Sequence, residues 1–104
     1  MGNKSTFHDV TLDSQEIKAF CQAHHISRLS LFGSILTDQF QADSDVDILV
    51  EFDSGHTPGF LQMAALEAEL SRMLNKKVDL RTPAELSKYF RDEVISKSEL
   101  QYER

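Results

Sequence analysis

A small mixed β-sheet flanked by helices, an α/β (α+β) domain, is the fold class this sequence predicts, and three observations predict it. Two short runs, Arg28 to Phe32 and Asp45 to Phe52, have the length and the β-branched or apolar composition of buried strands. Apolar residues at helical spacing precede and follow them: Ile17, Phe20 and Cys21 before the first run, Met63, Leu66, Leu70 and Met73 after the second. The chain has 104 residues, 40% of them hydrophobic, which is enough for one modest core and too little for two independent domains.

Residues 1–11 are polar and without period, which predicts a loose arm ahead of a folded domain over 12–104. The first helix is expected from Asp13 to about His25, with Asp13 and Glu16 placed as a capping pair. Arg28 to Phe32 (RLSLF) ends at Gly33, a strand feeding a tight turn, and Ser34 opens a short helix. After a polar connection, Asp45 to Phe52 (DVDILVEF) reads as a central strand. Gly55 and Pro58 break the chain and Thr57 is positioned to cap the long helix whose Met63, Leu66, Leu70 and Met73 face is core. Lys77 to Leu80 (KVDL) is a brief strand. Thr82, Pro83 and Glu85 then form a helix start, with a helical stretch expected towards Tyr102.

Composition excludes several classes. A formal charge of -6, with no cationic cluster beyond Lys76 and Lys77, is the wrong balance for a free-standing nucleic-acid binder. No apolar run approaches the roughly 20 residues of a membrane span, and the first ten residues lack a signal peptide's apolar stretch. The single Cys21 lies among apolar helical residues, reads as a small core side chain, and fits a reducing cytoplasm. A core of this size is only marginally stable alone, so docking onto a second copy or another protein is expected.

The chemistry lies at the strand ends. Alternate side chains of an extended strand share a face, so Asp45 and Asp47 project together while Val46 and Ile48 point into the core. Neighbouring carboxylates repel, and an oxygen-only pair suits Mg²⁺ or Mn²⁺. Asp79, flanked by Val78 and Leu80, is an awkward acid in an apolar strand. Beside Asp45 to Phe52 it completes the three carboxylates of a two-metal phosphoryl-transfer site; alternatively it is a surface acid paired with Lys76, Lys77 or Arg81. Asp45 and Asp47 likewise admit a plainer reading as acids at a loop-to-strand junction. Gly33 permits close backbone approach, and the Ser34 hydroxyl and the N–H groups after it are candidates to receive phosphate oxygens.

The stretch LFGSILTDQFQADSDVDILV carries Gly-Ser, ten residues, then Asp-x-Asp, and KKVDL follows with a third Asp. In this combination the sequence, from about Leu29 to Arg104, resembles the minimal nucleotidyltransferase (MNT) branch of the DNA polymerase beta-like superfamily. The resemblance implies that Asp45 and Asp47 bind two Mg²⁺ ions, that Asp79 completes the metal site and helps activate the attacking hydroxyl, and that Gly33 and Ser34 hold the phosphates of ATP. It further implies the antitoxin half of a HEPN/MNT toxin–antitoxin pair, transferring AMP from ATP to a tyrosine of the HEPN partner. The pattern departs from many relatives in one place: their Arg-Ala-Arg-Gly run after Gly-Ser is replaced here by Ile35, Leu36, Thr37 and Asp38. That departure favours the alternative of a nucleotide-binding module, weak or inactive in catalysis, that neutralises a partner by masking it.

Other candidates read as structural. His24 and His25 close a helix and lack a third ligand. Asp38, Asp43, Glu51 and Asp53 are solvated charges. Tyr89, Phe90 and Tyr102 are the expected partner contacts.

Overall fold

The structure is a computed structural model that describes residues 4–104. Its main sheet has the strand order β5-β4-β3-β6, where β3 is Ile26–Phe32, β4 Val46–Phe52, β5 Val78–Arg81 and β6 Glu99–Glu103. β3 runs antiparallel to β4 and β6, and β4 runs parallel to β5, so the sheet is mixed as expected. Val46, Ile48 and Val50 of β4, all 0% exposed, point into the core with Leu29 and Leu31 of β3.

Helices α1 (Ser14–Ala23) and α2 (Phe60–Leu74) complete that core. Asp13 caps α1, its carboxylate accepting the N–H groups of Gln15 and Glu16 at 2.9 and 3.3 Å, which satisfies donors the first turn leaves open. Ile17, Phe20 and Cys21 are buried, and burial pushes the Cys21 thiol up to about 12. In α2 the buried face is Leu66, Leu70 and Leu74, with Met63 and Met73 partly covered. The helix is capped by Gly59 rather than Thr57 and ends on Asn75 in the left-handed conformation. Among the described residues no helix is long and apolar enough to cross a membrane.

Two expectations differ from the structure. Of the arm over 1–11, the first three residues lie outside the described residues, but Lys4–Phe7 (β1) and Val10–Asp13 (β2) form an antiparallel hairpin. Val10 and Leu12, each 2% exposed, alternate inward onto the core; a period of two over so few residues is hard to separate from a polar tail. The helical stretch towards Tyr102 is the second difference. After the Thr82–Glu85 capping box the chain makes a single 3₁₀ turn, then a short α3 (Arg91–Lys97), and closes as β6 against β3. Leu29 faces Tyr102 and Ser30 faces Leu100 in that pairing. The free edge of β3 supplies backbone partners that no local pattern in the last five residues reveals.

The hairpin has a positional role. His8, at its turn with φ 59°, stacks on Phe40 at 4.9 Å, and its Nε2 lies 2.8 Å from the Thr37 carbonyl. Lys76 holds the same loop from the other side through the Ala42 carbonyl at 2.7 Å. The segment joining Ser34 to Asp45 is thus pinned at both ends. His8→Ala is expected to lower stability by about 1–2 kcal/mol, the sum of a lost hydrogen bond and a lost ring contact, read as a drop in thermal midpoint.

Candidate active site

The site forms where the end of β3 meets the starts of β4 and β5. Phe32 is extended, Gly33 then turns at φ 80°, and Gly33–Leu36 makes a short 3₁₀ helix whose Ser34 carbonyl accepts the backbone N–H and the hydroxyl of Thr37 at 2.9 and 2.8 Å. Ile35 of that helix is buried and anchors the turn in the core. Asp47 pairs with Phe32 across the antiparallel ladder and with Asp79 across the parallel one. It therefore stands between the Gly33 turn and the third acid.

Its carboxylate packs directly on the turn. A Cβ built on Gly33 would overlap Oδ2 of Asp47 and lie 3.1 Å from its Cγ, so glycine is required there on spatial as well as conformational grounds. Burial first, and then the charges of Asp79 and Asp45, push the Asp47 carboxyl up to about 6, against a smaller opposing effect of Arg81. A carboxylate this costly to ionise, ringed by like charges, is a mark of a functional position.

The other two acids are close but turned to cations. Asp45 precedes β4, with Oδ2 4.0 Å from Lys77 Nζ. Asp79 accepts Arg81 Nε at 3.0 Å and Nη2 at 3.4 Å. The pairing with Arg81 that the sequence allowed for Asp79 is present together with its placement next to Asp47. Among the described residues no three His, Cys, Asp or Glu side chains are gathered as a metal centre. The donor set nonetheless fits a hard divalent cation: it is oxygen-only, and a cation beside Asp47 would offset both the burial of its charge and the repulsion from Asp79 and Asp45.

His24 and His25 lie away from this site, His24 against Glu69 at 3.4 Å and His25 stacked on His56 at 3.9 Å. Tyr89 and Phe90 are exposed, whereas Tyr102 packs against the core. Sequence reasoning missed the exposed Phe60 and Leu61; the i, i+2 spacing of Asp79 and Arg81 on one strand is what selects Arg81 among the cations the sequence offered to Asp79.

With this geometry established, similarity to known proteins is informative. Residues 15–104 match the family model for polymerase beta, nucleotidyltransferase. The protein adenylyltransferase MntA of Thermococcus cleftensis is 34% identical over 77 residues, covering 66% of this chain and 76% of that protein. A crystal structure of a toxin–antitoxin with AMP-PNP superposes with TM-score 0.71 at 21% identity, over 89% of this chain and 75% of that one. A complex of tri-AMPylated Shewanella oneidensis HEPN toxin with MNT antitoxin does so with TM-score 0.63 at 19% identity, over 88% and 70%. Those two likenesses establish the fold, and the match along residues 15–104 the family: the chain belongs to the polymerase beta nucleotidyltransferases.

Proposed function

We propose that this chain is an antitoxin that transfers AMP from ATP, with Mg²⁺, to a tyrosine hydroxyl of a HEPN-type partner protein. The observation that carries the reading is the Asp47 carboxylate seated on the Gly33 turn with Asp79 beside it in register. A phosphate-approachable turn and paired acids at one point are what nucleotidyl transfer needs. The relative named protein adenylyltransferase and the HEPN toxin complex among the fold neighbours support the acceptor class.

In this reading the backbone of Gly33 and the hydroxyl of Ser34 bind the phosphates. Asp45 and Asp47, with Asp79, would hold Mg²⁺ or Mn²⁺, which supplies neutralisation of the triphosphate charge. The tyrosine oxygen forms a bond to the α-phosphorus, the bond from that phosphorus to the bridging oxygen of the β-phosphate breaks, and pyrophosphate leaves. The phenolic proton passes to the Asp79 carboxylate.

Intact-mass measurement of the partner after incubation with this protein, ATP and Mg²⁺ tests the reading. One or more added AMP units are expected, and none with the Asp45→Ala/Asp47→Ala variant. A second reading has its own support: Ile35, Leu36, Thr37 and Asp38 bring no cation to the turn, and Asp79 is held by Arg81. In that case the chain masks its partner with little or no transfer, and the double variant still neutralises it.

A further inference from the structure

We infer that the cavity between the start of α2 and β5 seats the acceptor's tyrosine-bearing segment, a segment with a cationic residue beside the tyrosine; the inference rests on the adenylylation reading above. The cavity is about 460 Å³, bordered by Gly59, Phe60 and Met63 on one wall and Asp79, Arg81 and Glu85 on the other.

Strand order supplies the first argument. The order β5-β4-β3 places the Gly33 turn and this cavity on opposite flanks of Asp47. In-line displacement at phosphorus sets the attacking oxygen opposite the departing phosphates. Phosphates gripped on the Gly33 flank leave the β5 flank to the attacking hydroxyl. A second cavity, about 550 Å³, borders Gly33 itself and so lies on the leaving-group flank.

The surface supplies the second. Phe60 and Leu61 are 86% and 81% exposed in the first turn of α2, ahead of the buried stripe that begins at Leu66. Phe60 borders the cavity and Leu61 follows it on the same exposed turn; two adjacent large apolar side chains there, unneeded by the core, suit a protein contact. Charge supplies the third: the walls carry Glu67, Asp79 and Glu85 against the one cation Arg81, an excess of negative charge that a cationic neighbour of the tyrosine would complement.

The test is steady-state transfer to the HEPN-fold partner by the full chain carrying Phe60→Ser and Leu61→Ser, beside Leu100→Ser as an exposed apolar control on β6. Both substituted side chains are solvent-facing, so folding is retained, and circular dichroism checks it. The inference expects the acceptor KM to rise about 10-fold or more, with ATP affinity and kcat at saturating acceptor held and the control unchanged. An unmoved acceptor KM, or an equal fall in ATP affinity, overturns it. If the wild-type chain adds no AMP at all, the adenylylation reading fails separately, and the surface is decided by calorimetric Kd for the same partner. An affinity about 10-fold weaker in the double variant supports the surface; equal affinities, or no binding by wild type, overturn it.

Discussion

Asp47→Asn is expected to make the metal-free protein more stable at pH 7.5 while abolishing nucleotidyl transfer. The Asp47 carboxyl titrates near 6 in the fold against an ordinary 3.8, because burial and the neighbouring Asp79 and Asp45 disfavour its charge. With the folded pKa raised, the native state holds its proton more tightly than the unfolded chain. Below about pH 4 both states are protonated and nothing is lost; as pH rises through 4 to 6 the unfolded chain ionises first and stability falls; above 6 the full cost is present. The shift of about two units corresponds to at most ~3 kcal/mol, and partial solvent exposure reduces this to about 1–2 kcal/mol recovered by the neutral amide. In a domain of this size that is a rise of about 5–10 °C in Tm at pH 7.5, shrinking to a small fraction near pH 4. Mg²⁺ should then stabilise the wild-type chain by mass action and leave the variant unchanged. A variant no more stable than wild type at pH 7.5, or a gap constant from pH 4 to 8, would sink the account of Asp47 as a strained functional charge.

That strain also explains why the site was more legible than parts of the fold. Asp45, Asp47, Gly33 and Asp79 break local rules, with acids in apolar strands and a glycine at a strand end, and such breaks are visible in a string of letters. The register that sets Asp47 beside both Phe32 and Asp79 follows from the apolar pattern of β3, β4 and β5. Hidden from inspection were contacts made across long sequence separations. His8 stacks on Phe40, and β6 closes on β3. Neither of these has a local period, since each depends on which surface the rest of the chain leaves open. The polar residues of β1 and β2 resembled a tail because only Val10 and Leu12, with a partly buried Phe7, carry the hairpin's inward face.

Gly33→Ala is expected to lower stability by about 2–4 kcal/mol and to reduce transfer by about 100-fold or more. Two separable costs act at this position. The left-handed φ of 80° disfavours any Cβ, and the added methyl would overlap Oδ2 of Asp47. Gly55 isolates the first: it has φ 81° with nothing within 4 Å of a built Cβ, so Gly55→Ala should cost only the backbone term of about 1 kcal/mol. Most of the second cost should go when the opposing carboxylate is removed, leaving only the Cβ of residue 47 at 3.3 Å. In an Asp47→Ala background, Gly33→Ala is therefore expected to cost about as much as Gly55→Ala does in the wild type. Urea denaturation of the four proteins in that cycle should give a coupling of about 1–3 kcal/mol between Gly33 and Asp47. Additive effects would mean that the turn and the carboxylate are not pressed together. The Gly33 turn and the Asp47 carboxylate would then be independent neighbours, whereas strong coupling makes glycine at position 33 the condition for Asp47 to occupy the centre of the candidate site.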